Sequence, residues 1–309
     1  MKKSIILIAL LALCIGVKAQ KTDTAKKEPS ADSLMNSLSA GDDKHAYILS
    51  AFKATRLIFS PTTEMVRKKN LNFLVIHRFG DIATGPGGAR TLFGLDAVND
   101  VYIGFEYGVS DNFNINFGRS TIGQLVELQL KYALLHQTND NSSPLGIALM
   151  GGTGVRPYGN FASFSDRLSY IAQAVFSRKF TQALSLEVSP VFVSDNQPIP
   201  NEAGNENSFF SLTAAGRLKV TKHMSILVDW EHPFSSYRTG TNGFQDPLGF
   251  GAEFETGGHV FTLNFTNARA VSQINSLSNS QASWGRGEYR FGFTISRMFD
   301  FNRKKEKKW

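Results

Sequence analysis

Cysteine is nearly absent from this chain. Cys14 is the only one among 309 residues, and it lies inside an apolar run near the N-terminus. Disulfides, thiolate nucleophiles and cysteine-ligated metals are therefore not expected downstream of it. Leu13, just before it, is not the small residue that a lipid-anchoring signal requires. Long apolar runs are missing too. The run Ile5 to Val17 holds thirteen residues, short of the roughly 20 that cross a bilayer as a helix. No later segment approaches that length, so a helical membrane bundle is excluded.

Ligand patterns are equally sparse. The six histidines, His45, His77, His136, His223, His232 and His259, include no pair at the helical i, i+4 spacing of a metal site. Gly85-Pro86-Gly87-Gly88 and Gly151-Gly152-Thr153-Gly154 lack the lysine of a phosphate loop and read as loop and strand-end flexibility. No cofactor is expected. The formal charge of +7 is concentrated at the ends: Lys2, Lys3 and Lys18 precede residue 20, and Arg303-Lys304-Lys305-Glu306-Lys307-Lys308 carries a net +4. The body between is close to neutral, which excludes a nucleic-acid partner.

What is present begins with a leader. Met1-Lys2-Lys3, the apolar run and Val17-Lys18-Ala19 make a signal peptide over 1–19. Residues 20–45 are polar and are expected to be a disordered periplasmic leader, with a short amphipathic helix over 30–38 as the alternative. From about 50 to 299, segments of eight to eleven residues place an apolar side chain at every second position. Val126, Leu128, Leu130, Tyr132 and Leu134 form one; Leu71, Phe73, Val75, His77 and Phe79 form another. A period of two means strand. Short turns near 110, 181, 222 and 257 alternate with long loops near 81–98, 156–167, 194–207, 235–246 and 268–285. That rhythm favours an outer-membrane barrel over a soluble sandwich. About thirteen segments can be laid out, the first near Ala51–Phe59 having an ambiguous phase. Because such barrels have even strand numbers, the expected fold is all-β: a closed up-and-down antiparallel transmembrane β-barrel over 46–299, of about 12 strands with 14 as alternative. A basic tail, 300–309, follows it.

A charge facing lipid at mid-membrane costs roughly 2–4 kcal/mol, so charged residues between the apolar positions are expected to face the lumen. The candidate lining is Glu127, Lys131, Arg217, Lys219, Asp229, Glu231, Glu253, Glu255 and Arg290. The first functional expectation is a narrow pore or binding barrel passing a small solute under electrostatic selection. The alternative is a structural or interaction barrel with a plugged lumen. A third is a lipid-modifying enzyme at the rim, using His232 with Ser235 or Ser236 and an acid such as Glu231. Neighbouring strand residues face opposite ways, so His232 and Glu231 do not share a face. No catalytic residue is assigned.

Phe52-Lys53-Ala54-Thr55-Arg56-Leu57-Ile58, Leu71-Asn72-Phe73-Leu74-Val75-Ile76-His77-Arg78-Phe79-Gly80-Asp81 and Phe93-Gly94-Leu95-Asp96 resemble an uncharacterised family of Bacteroidota outer-membrane β-barrels, a domain of unknown function. Tyr107-Gly108-Val109-Ser110-Asp111-Asn112 and Gly118-Arg119-Ser120 fit the same group. The resemblance implies a barrel in the bacterial outer membrane, in contact with its lipid, and no activity. The last segment, Tyr289 to Phe299, is similar to the terminal strand read by the barrel-insertion machinery, although ten residues follow Phe299.

Overall fold

The computed structural model describes residues 46–48, 50–83, 88–196 and 206–301. The leader, the polar stretch to residue 45 and the tail beyond Phe301 lie outside them. Twelve strands close into one antiparallel barrel. They are β1 (Asn70–Asp81), β2 (Val98–Ser110), β3 (Phe113–Ser120), β4 (Val126–Leu135), β5 (Gly146–Val155), β6 (Leu168–Lys179), β7 (Leu184–Asp195), β8 (Ser208–Lys219), β9 (Met224–Phe234), β10 (Leu248–Thr256), β11 (His259–Thr266) and β12 (Arg290–Asp300). Sequential neighbours pair, and β12 returns to β1 with Leu71 opposite Phe299 and His77 opposite Phe293. Closure leaves no unpaired edge, which a sheet in hydrocarbon requires.

Alternation builds the wall. Along β4, Glu127, Gln129, Lys131 and Ala133 are buried inside, while Leu128, Leu130, Tyr132 and Leu134 are about half exposed outside. The same outward phase carries Phe105, Phe117, Phe250 and Phe265, a surface no water-soluble protein would expose so widely. Lipid covers it. Aromatic pairs reinforce the band: the His77 ring stacks on Phe293 with centroids 4.8 Å apart, and Trp284 stacks on Tyr289 at 5.0 Å. Arg297 breaks the outward phase of β12 near its end and lies over the Phe299 ring at 4.9 Å, reaching toward the polar boundary.

Tight turns at 111–112, 180–183, 220–223 and 257–258, with a longer one at 136–145, occupy the end where β1 starts and β12 stops. This is the periplasmic end. Longer connections dominate the other.

The segment near Ala51–Phe59 is not a strand of the wall, which corrects the thirteenth segment of the alternation. Leu57, Ile58 and Phe59 are consecutive and all buried, as are Phe52 and Ala54. Residues apolar on every side fit a lumen, not a two-faced strand. Residues 50–69 form a lumenal hairpin: Thr62 N donates to Thr55 O at 2.9 Å, and Leu57 N donates to Ser60 O at 2.9 Å across the apex. Its apolar side packs on Ala215, Leu227 and Ala268. Both limbs begin and end at the periplasmic side, since Asn70 opens β1 there.

The hairpin leaves the lumen beside Gly108. A side chain at Gly108 would run into the carbonyls of Val66 and Arg67, and Lys69 N donates to Gly108 O at 2.7 Å. Gly108→Ala is expected to lift the second limb while the barrel still forms. Faster tryptic cleavage after Arg67 than in the wild type is the readout.

The loop after β11, 267–289, also turns inward. It carries α1 (Gln273–Ser278), every residue of which is buried. Ile274 and Leu277 join Leu125, Ile171, Val191, Val193 and Phe209 in a second apolar cluster. The lumen is filled from both ends.

Candidate functional site

The lumen wall meets the hairpin through charged side chains. Asp229 on β9 receives the apex: its Oδ2 accepts from Ile58 N (3.1 Å), Phe59 N (2.7 Å) and Ser60 N (2.9 Å), and its Oδ1 from Ser60 Oγ (2.7 Å). Three successive backbone N–H groups around one carboxylate make a strong anchor. Opposite it, Arg78 on β1 donates to Ile58 O at 2.9 Å and lies 5.1 Å from the Phe59 ring centroid. Glu106 accepts from Thr55 Oγ1 (2.5 Å) and Asn72 Nδ2 (2.8 Å). Lys131 donates to Glu64 O at 2.6 Å.

A second set holds α1. Glu231 accepts from Gln273 Nε2 and Ser276 Oγ, each at 3.0 Å, and Glu127 accepts from Ser272 Oγ at 2.9 Å. Asp100 accepts from Val271 N at 2.8 Å. Arg156 clasps Asp195 with both terminal nitrogens (2.8 and 3.0 Å) and donates to Asn275 Oδ1 at 3.0 Å. Arg238 links three outer connections, donating to Ser278 O and Glu206 O with the Phe209 ring 4.0 Å away. Burial pushes its guanidinium down to about 10, still cationic at neutral pH.

Of the nine residues expected along the lumen, Glu127, Lys131, Arg217, Asp229, Glu231, Glu253 and Arg290 are buried inside the barrel. Lys219 and Glu255 sit partly covered beside the periplasmic turns. The nine are not one ring. Glu127 and Glu231 meet α1, and Lys131 and Asp229 meet the hairpin. Arg217 pairs with Glu253 (2.7 Å) and Glu255 near the periplasmic end, where Lys53 of the hairpin also approaches Glu255 at 3.4 Å. Arg290 pairs with Asp81 at the outer end. Arg78, Asp100, Arg156 and Asp195 also belong to this lining. Alternation could have placed Arg78, which lies between outward His77 and Phe79. Arg156 is one residue beyond β5 and has no strand phase.

The rim residues do not converge on a nucleophile. His232 Nδ1 faces Asp246 at 2.9 Å and its ring stacks near Trp230, whereas Ser235 and Ser236 donate to Glu206. Glu231 points inward to α1. Among the described residues no group of three His, Asp, Glu or Cys side chains is placed to hold a metal ion.

Glu64 closes the neck of the hairpin, its Oε1 accepting from Ala51 N (2.8 Å) and Phe52 N (2.9 Å). Burial raises its pKa above 4.5, against the pull of those two N–H groups, Lys131 and Lys179. An acid raised by folding favours the seated hairpin when protonated, so this contribution is full below about 4.5 and fades as pH rises through the raised value. Glu64→Gln keeps an acceptor without the half-buried charge. It is expected to flatten the pH dependence of amide protection at Ala51 and Phe52. Glu64→Ala removes both bonds and costs about 2 kcal/mol. Protection that falls equally in both variants would count against this.

No curated protein matches the chain. Among solved structures it is similar to the NanC porin, at 10% identity and a TM-score of 0.45 over 75% of this chain and 100% of that one. It is also similar to the KdgM porin, at 8% identity and a TM-score of 0.44 over 75% and 99%. The closed wall with its lipid-facing band is that of an outer-membrane β-barrel. Residues 52–299, from the first buried phenylalanine of the hairpin to the last outward one of β12, match the family described as a membrane bound beta barrel domain (DUF5777), and the chain belongs to that family.

Proposed function

We propose that this protein is a gated, porin-like barrel, closed at rest, in which the 50–69 hairpin is the movable plug and the charged wall behind it the path for a small polar solute. One observation carries this: an apolar insert lies against a wall of charge that the closed state satisfies only in part. Glu187 is buried with neither carboxylate oxygen hydrogen-bonded to a described residue, and Arg78 Nε and Nη1 are likewise without partners. A barrel that only had to stay shut would be served as well by apolar side chains, because buried charges contribute little net stability. A wall that is hydrated whenever the hairpin leaves has a use for them. With both limbs at the periplasmic end, withdrawal runs toward the periplasm. Insertion through the terminal strand, Tyr289 to Phe299, belongs to the same reading.

Buried strand positions carry eight acids and four bases, so the opened lumen favours cations. Planar-bilayer recording tests the proposal. Wild type is expected to be silent, and deletion of 50–69 combined with Arg156→Ala, which frees the second insert α1, to give steady, cation-preferring current. A wild type that conducts steadily, or a folded deletion variant that never does, would overturn it.

A further inference from the structure

Arg56 of the hairpin occupies a place that the wall shapes for a cation. Its guanidinium carbon lies 5.5 Å from the centroid of the Tyr102 ring, within cation–π range. The ring is itself fixed. Tyr102 packs on Ile76 and Val271 and lies against Gly104 and Gly118, where a Cβ would collide with it.

Acids surround this place, yet among the described residues none forms an ion pair with Arg56. Glu127 is 1% exposed and lies beside the Tyr102 hydroxyl, and its Oε2 makes no hydrogen bond to a described residue. Arg56 is the charge that acts on Glu127 most strongly. Glu106 accepts from Thr55, the chain neighbour of Arg56. The guanidinium's own hydrogen bond stays within the hairpin, from Nε to Phe59 O at 3.1 Å. Beside it is a cavity of about 20 Å³, lined by Thr55, Arg56, Tyr102, Glu106, Gln129 and Lys131, with room for a water.

This cation therefore arrives with the insert and leaves with it. When the hairpin withdraws, Asp100, Glu106, Glu127 and Glu231 stay on the wall against Arg78 and Lys131, and the Tyr102 face is uncovered. A planar, weakly hydrated guanidinium suits an aromatic face beside carboxylates better than a compact, strongly hydrated ion does. We infer that the wall around Tyr102 is a binding site for a small organic cation of the guanidinium class, and that Arg56 fills it as an internal stand-in while the hairpin is seated. The inference rests on the gated reading in one respect: the site opens only when the hairpin leaves.

Amide exchange over 50–69 in the full chain tests it, with methylguanidinium chloride as the probe and potassium chloride as the control. In the wild type the free cation reaches the wall only after Arg56 has left, so it should speed exchange. In Arg56→Ala it can take the vacated place with the hairpin seated and Phe59 O in reach, so it should slow exchange. A change of about tenfold is expected once the probe exceeds its Kd by as much. Opposite signs exclude a general denaturing effect, which would speed both. Tyr102→Leu should abolish the response that Tyr102→Phe keeps. Shifts of one sign in both proteins, potassium acting as methylguanidinium does, or an undiminished response in Tyr102→Leu would overturn the inference. Bilayer recording judges the gate separately. Opposite shifts in a barrel that never conducts would keep the site and remove the path, whereas conduction without them would keep the path and remove this ligand.

Discussion

Asp229→Ala, placed in a barrel whose α1 is freed by Arg156→Ala, is expected to turn a silent barrel into one with frequent openings. The carboxylate is fully buried and is the acceptor found for the three N–H groups of Ile58, Phe59 and Ser60 and for the Ser60 hydroxyl. Truncation leaves four donors in the lumen without that acceptor, at about 1–3 kcal/mol each. The donors share one acceptor, so the costs do not simply add, and a loss of about 4 kcal/mol of seating is expected. The apolar contacts of Leu57, Ile58 and Phe59 are left to hold the apex, and a hairpin that must strand four polar groups to keep them is released. Asp229→Asn keeps an acceptor oxygen and should open less often.

Residual current through a misfolded barrel is separated by a covalent control. Thr55 Oγ1 of the hairpin lies 3.2 Å from Asn72 Nδ2 of β1, and the chain has no other cysteine beyond Cys14. Thr55→Cys with Asn72→Cys, added to Asp229→Ala, should restore silence when oxidised and release it on reduction. Openings that persist through the oxidised lock would place the current outside the hairpin's path.

The wall was legible because lipid and lumen impose opposite demands on alternate residues. Val126 to Leu135 can be read without coordinates, and so can the inward turn of Glu127 and Lys131. The hairpin was not legible for the same reason. Leu57-Ile58-Phe59 is surrounded on all sides, so no period marks it, and in sequence it is a strand of uncertain phase. α1 hides differently. Val271, Ile274 and Leu277 are spaced three apart, but the helix has six residues amid serine and asparagine, too little for a pattern. The partners of the lumen charges followed this split. Alternation can say that Asp229 faces inward, and it carries no information that residues 58–60, some 170 positions earlier, supply its donors.

At the opposite end, Arg156→Ala is expected to release α1 at comparable cost. Asp195 is 0% exposed and Arg156 7%. Their bidentate contact is supported by Ser169, which accepts from Arg156 (2.7 Å) and donates to Asp195 (2.9 Å). Removing the guanidinium strands a buried carboxylate, a loss of about 3–5 kcal/mol, and also takes the donor from Asn275. The loop 267–289 should then be cut faster by trypsin at Arg269 and Arg286, while the cleavage rate at Arg67 on the hairpin stays unchanged. The sign of the pair is decided by the double variant. If Asp195 is costly because it is charged and alone, Arg156→Ala with Asp195→Ala must be more stable than Arg156→Ala by itself, although it has lost more contacts. A double variant as unstable as the sum of its parts would mean that water reaches Asp195 and that α1 is held by its apolar residues Ile274 and Leu277 instead.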